Sequence, residues 1–218
     1  MAIKKNKSTA VRDIPYYQKK FRKIFLYTLG GTFVFFLFAS WGLLGAMPSF
    51  EELENPNSNL ATEVISADGV TIGKFYNENR TSVKYSDLPQ HLVKALVATE
   101  DERFYEHSGI DGRRTLGAFV KLGTNGGAST LTQQLAKLLF HGEGSKFLPF
   151  RIIQKAKEWI IAIKLEKQYT KNEIIAMYFN KVDFVNTAVG IRSAAKVYFG
   201  KEPRNLTIDE SAMLVGML

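Results

Sequence analysis

From Ile24 to Met47 the chain reads IFLYTLGGTFVFFLFASWGLLGAM, 24 residues without a charge. As a helix rising about 1.5 Å per residue this run would be about 36 Å long, enough to cross a hydrocarbon layer of about 30 Å with some tilt. It predicts one N-terminal transmembrane helix over 24–47. A cleavable signal sequence is the competing reading, but its apolar region is about 7–15 residues long, and no small-x-small site follows before Pro48. The flanks set the orientation. Residues 1–23 hold eight Lys or Arg against the single acid Asp13, whereas Glu51, Glu52 and Glu54 follow the run. Basic flanks stay on the cytoplasmic side, so a cytoplasmic tail and an exported remainder are expected.

That asymmetry disposes of another inference. Of the net charge of +8, the tail carries +7, leaving the rest of the 218 residues almost neutral. The basicity belongs to topology, and no nucleic-acid partner is expected. The chain has no cysteine, which excludes a disulfide framework and a thiol nucleophile. Its three histidines lack zinc-site spacing, and no Gly-x-Ser-x-Gly elbow supports serine hydrolysis.

Beyond the run, residues 48–59 are polar and turn-rich, a stalk. Short β-prone stretches follow near 62–67 and 70–76, joined by Asp68-Gly69, with a third near 81–85. Residues 48–85 are thus expected to form a stalk and short β linker region. Helical patterning takes over at Pro89. Leu92, Val93, Leu96 and Val97 form an apolar stripe, yet Glu100 and Asp101 end it, at the helix terminus least suited to negative charge. A positive group, a metal or a functional need is expected nearby. Thr130-x-x-Gln133, Thr170-x-x-Glu173 and Thr207-x-x-Glu210 read as helix starts, and 151–168 as an amphipathic helix. The sequence stops inside an apolar helical pattern, as expected of a piece of a longer polypeptide.

Two carboxylates stand out as chemistry. Glu100 closes a mostly apolar helix, where partial burial suits a general base. Glu158 has Lys155 at i−3 and Arg151 at i−7, about one and two helical turns away, with Lys157 beside it. A carboxylate among cations suits phosphate chemistry, directly or through a metal. Lys137 adds a charge beyond the polar row Ser129, Thr130, Thr132, Gln133 and Gln134. By contrast, Glu166 reads as part of a solvated helix face, and His91 and His141 as surface or capping residues. On the residues alone, a two-carboxylate site of glycosyl transfer or hydrolysis and a plain ion-pair network both remain open.

The ordered blocks ATEDERFYEHSGID, GGASTLTQQLAKLLF and KAKEWIIAIKLEKQYTKNEIIAMYFNKVDFVNTAVGIRSAAKVYFGK resemble the family 51 glycosyltransferases. These are the peptidoglycan polymerase domains of class A penicillin-binding proteins and their monofunctional relatives. The resemblance covers about residues 86–218. It implies a mainly α fold with a lysozyme-like lobe and a small membrane-facing jaw at about 108–150, where Phe147, Leu148 and Phe150 would dip into the interface. It also implies polymerisation of lipid II into β-1,4-linked glycan, with inversion at C1 and release of undecaprenyl pyrophosphate, at the outer or periplasmic face of the bacterial cytoplasmic membrane. Its partners would be lipid II, the growing glycan, membrane lipids and other cell-wall synthesis proteins.

On that resemblance Glu100 is the general base. Glu158 orders the donor half of the site or binds a divalent cation, Mg2+ or Mn2+, while Lys137, Arg151 and Lys155 clamp pyrophosphate. Ser129, Thr130, Gln133 and Gln134 line the cleft, and Asp101, Phe104, His107 and Asn186 support the frame, with Asn180, Gly190, Arg192 and Tyr198 mainly architectural. Two departures are visible. Gln154-Lys155 stands where the family commonly has Arg-Lys, and Phe184-Val185-Asn186 where relatives often have Phe-Gly-Asn, which bears on local backbone geometry. A lytic or lysozyme-like enzyme and a non-catalytic membrane-anchored scaffold are the alternatives.

Overall fold

The computed structural model describes residues 14–43, 45, 62–66, 68, 71–75, 82–120, 129–140, 147–185 and 188–218. Most of the basic tail, the stalk at 48–59, the glycine-rich segment before Ser129, His141 and Asn186 lie outside the described residues. The chain divides into two units, Met1–Ala46 and Met47–Leu218.

In the first unit one helix, α1, runs from Ile14 to Ser40. It is long and apolar enough to cross a membrane. It begins inside the basic tail rather than at Ile24. Beyond Ser40 the chain turns through Trp41–Leu43, with Gly42 at φ +75°, so these three residues of the uncharged run are not part of it.

The described part of the second unit starts with a hairpin. Strands β1 (Thr62–Ile65) and β2 (Thr71–Phe75) pair antiparallel, Thr62 opposite Phe75, with a register shift between Val64 and Ile65. The expected β region is corrected here. The third strand near 81–85 does not form, because the Asn180 side chain takes the place of a strand partner. Its Oδ1 accepts from Val83 N–H (2.8 Å) and its Nδ2 donates to Val83 C=O (2.9 Å). The segment then enters a 3-10 turn at Tyr85–Asp87. Among the described residues after it, only an isolated bridge, Asp183 to Val189, is β-like. Among the described residues the β-sheet content is therefore this one hairpin, with no sheet in the helical core.

That core is built from α2 (Gln90–Glu100), α4 (Leu131–Phe140), α5 (Leu148–Gln168), α6 (Lys171–Lys181), α7 (Ile191–Phe199) and α8 (Ile208–Val215). A further helix, α3, spans Gly112–Val120. Leu92, Leu96, Phe104, Leu131, Leu135 and Ile161 are among the side chains wholly withdrawn from water, each worth about 1.5–3 kcal/mol of burial. Helix α2 packs on α8, and α4 packs on α5 and α6. Leu131 and Leu135, one turn apart, set α4 into the core.

The starts of α6 and α8 are the expected capping boxes. Thr170 and Thr207 accept the amides of Glu173 and Glu210, whose carboxylates reach back to the cap amides. Helix α5 begins before Arg151, with Pro149 in its first turn, where a missing N–H costs nothing.

Candidate active site

The candidate residues meet around one short segment, Ser129 to Gln134, at the start of α4. Its position is set from below by Asp101, which is 1% exposed. Asp101 ends α2 with φ −157°, ψ 74°, a break in helical geometry that sends its side chain away from that helix. Its Oδ2 accepts the Leu131 amide at 2.9 Å, satisfying one of the amides left over at the start of a helix. His107 Nε2 contacts the same carboxylate at 3.0 and 3.2 Å. The positive group expected at this helix end is Arg114, on α3. It donates to the Glu100 carbonyl at 2.7 Å and lies 3.8 Å from Asp101.

The next residues in the segment each take a different partner. Thr130 Oγ donates to Gly109 C=O at 2.7 Å and accepts the Gln133 amide at 3.2 Å. Gly109 has φ +87°, and a Cβ there would lie 2.9 Å from the backbone of Ala162, so glycine is required for the loop to meet α5. Thr132 donates to Glu166 Oε1 at 2.6 Å, and Lys171 Nζ donates to the same oxygen at 2.8 Å. Lys171 also donates to His107 C=O at 2.6 Å and sits 4.3 Å over the Phe104 ring.

The two carboxylates bracket this segment. Gln134 Nε2 donates to Glu100 Oε2 at 2.8 Å, while its Oε1 accepts from the Tyr178 hydroxyl at 3.0 Å. Burial, and then the Glu100 charge, push the Tyr178 phenol well above its ordinary value. At the other end of the segment, Lys155 Nζ donates to Ser129 Oγ at 2.8 Å and to Glu158 Oε2 at 2.7 Å. Glu158 is 6% exposed, so it is a buried carboxylate paired with a half-exposed cation.

The model of the transglycosylase family matches residues 68–218. The chain is 37% identical over 175 residues to penicillin-binding protein 1A of Neisseria cinerea, and 36% identical over 176 to that of Pseudomonas aeruginosa. It is 38% identical over 161 residues to penicillin-binding protein 1F of Bacillus subtilis. These alignments cover 78%, 79% and 72% of this chain but 21%, 21% and 22% of the relatives, so the chain spans about a fifth of their length. This chain belongs to the transglycosylase family.

Within this transglycosylase chain the structure brings together Glu100, Asp101, His107, Ser129, Thr130, Gln134, Lys155 and Glu158. Phe104 is wholly buried beside them. Lys137 and Arg151 are exposed and stand outside this hydrogen-bonded cluster among the described residues. Gln133 is 1% exposed, because one step round the helix turns it from the face of Gln134 into the packing. Glu166 is corrected from a solvated face to an ion pair, its side chain 5% exposed. His91 is a cap of sorts, its Nε2 2.9 Å from Leu206 C=O. The sequence reading missed Arg114, Lys171 and Tyr178, which reach Glu100, His107 and Gln134 from 14, 64 and 44 residues away. Beside the cluster, cavities of about 500 and 280 Å3 flank the Arg103–Asp111 ion pair, and neither includes Glu100 or Glu158.

Proposed function

We propose that this transglycosylase domain polymerises lipid II, the membrane-bound disaccharide-pentapeptide pyrophosphate, into glycan. The observation that carries the reading is the placement of two unlike carboxylates at opposite ends of residues 129–134. Glu100 is held by a neutral amide, and Glu158 is tied to a cation. That division suits an inverting displacement in which one side removes a proton and the other holds a departing anion. Glu100 takes the proton from the 4-hydroxyl of the acceptor sugar, whose oxygen attacks C1 of the donor. The O4–C1 bond forms as the C1–O bond to pyrophosphate breaks, and undecaprenyl pyrophosphate leaves. Lys155 faces that leaving group with Ser129 and Glu158 fixing its ammonium, and the exposed Arg151 and Lys137 add charge.

A divalent cation fits Glu158 only as a single protein carboxylate. Among the described residues no three His, Asp or Glu side chains cluster as a metal cage. Mg2+ is commonly held by one or two carboxylates together with substrate phosphates, so one buried acid beside the pyrophosphate suffices. Such an ion would neutralise the leaving group.

The apolar α1 supports anchorage in the cytoplasmic membrane with the basic tail inside and the second unit on the outer or periplasmic face. Phe147, Leu148 and Phe150 are 61%, 67% and 59% exposed, an apolar cluster suited to the lipid interface where the substrate's tail remains. Other cell-wall synthesis proteins are its natural partners in this reading. Incubation of the detergent-solubilised chain with labelled lipid II and Mg2+ should yield long glycan, and Glu100→Gln should abolish it. Cleavage of preformed glycan by the wild type would point instead to a lytic enzyme.

A further inference from the structure

The Glu100 carboxylate is reached through an amide whose orientation is not fixed by its shape. The two ends of a Gln carboxamide are nearly equal in size, and only hydrogen-bond partners distinguish them. Here both partners are defined. The Tyr178 hydroxyl donates to Oε1 at 3.0 Å, which turns Nε2 towards Glu100 Oε2 at 2.8 Å. Tyr178 is 2% exposed, and its raised phenol value keeps the proton on oxygen, so it remains a donor. In the reversed orientation the phenol proton would lose its acceptor, and Oε1 would face the carboxylate.

We propose that Tyr178 is a positioning residue that locks the Gln134 carboxamide, so that its N–H occupies Glu100 Oε2 and the other carboxylate oxygen is left to take the acceptor proton. The relay rests on Glu100 being the base. It has a direction, from phenol to amide to carboxylate, and a consequence for ionisation. An N–H given to the charged form of a carboxylate favours that form, so the loss of this bond should show in the pH–rate profile. Among the described residues, the charged groups next to it are Asp101 and Glu102 in its own chain segment and Arg114 from α3. Arg114 engages the Glu100 carbonyl rather than its carboxylate. Helix α8, packed on α2, directs Glu210 to Lys201 and to its own cap, away from Glu100.

The test is the pH dependence of lipid II polymerisation by Tyr178→Phe, in the full chain with Mg2+. Removing the hydroxyl keeps the ring in the core but lets the amide rotate. The expected result is a kcat about tenfold lower near neutral pH with KM nearly unchanged, and an acidic limb of kcat/KM moved up by about one pH unit. Gln134→Met, which removes the bridging amide while filling its space, should move the limb the same way and serves if Tyr178→Phe folds poorly. A rate loss equal at all pH values, with the limb unmoved in both variants, overturns the relay and leaves Tyr178 a packing residue. Glu100→Gln separates the two readings. If it still polymerises, Glu100 is not the base; if it is inactive and the limb stays put in the other variants, only the relay fails.

Discussion

Replacing Lys171 with Met should cost the second unit more than any other exchange of a partly exposed lysine. Its ammonium binds three things at once: the Glu166 carboxylate at 2.8 Å, the His107 carbonyl at 2.6 Å and the face of Phe104 at 4.3 Å. The Lys171 side chain is 23% exposed and that of Glu166 only 5%. Removing one partner of a buried pair costs about 3–5 kcal/mol, because the other charge stays behind unpaired. Thr132 continues to donate to Glu166 and Lys171 is not fully buried, so the lower end, about 3 kcal/mol, applies. For a unit of this size that is a fall in Tm of about 6–12 °C, measured by circular dichroism in detergent. The double variant Lys171→Met/Glu166→Gln removes the stranded charge and should recover more than half of the loss. A fall below about 2 °C in the single variant, or no recovery in the double, would refute the view that this pair is buried and structural.

The pH dependence of stability should carry a mark of Asp111. Burial raises its value, but the Arg114 amide, the Arg103 guanidinium and the Arg113 amide outweigh it and hold the carboxyl below its ordinary 3.8. A lowered folded value means that this stabilisation is complete above the ordinary value and disappears as pH falls through the folded one. Asp111→Asn should therefore cost about 1–2 kcal/mol at pH 7 and show a shallower loss of stability below about pH 4 in urea titrations. Val185 should respond in the opposite sense. It is a β-branched residue at φ +69°, where an L side chain costs about 1–2 kcal/mol. Val185→Gly should stabilise the fold by up to about 1 kcal/mol after the entropy of glycine is subtracted, and a lower urea midpoint would contradict it.

What could be read from the sequence was local. The caps at Thr170 and Thr207 are set by spacings of three residues, and the Lys155–Glu158 pair by the same spacing on one helix face. Each needs nothing beyond its own turn. The misreadings involve partners that only the fold supplies. Glu166 has the composition of a solvated face, and its burial depends on Lys171 and Thr132 arriving from other helices. The strand expected near 81–85 has the right residues, but Asn180 meets its backbone first. Tyr178 looks like one more aromatic of an apolar helix until Gln134, from α4, stands against its hydroxyl. Val185 was a legible departure from the family pattern, and its positive φ is where that departure falls.

The segment at 129–134 also dictates when in the life of the chain a working site can exist. Its partners are Gly109 and Asp101 before it, and Lys155, Glu166 and Tyr178 after it. Almost every bond closes a loop of twenty or more residues, and loops of that kind are stabilised only once both ends have docked. A chain in which these helices have not docked therefore lacks the frame that holds the two carboxylates. Until the helix carrying Tyr178 has packed against α4, Glu100 and Glu158 are not held about one segment, and on the reading proposed above no working site exists before that docking.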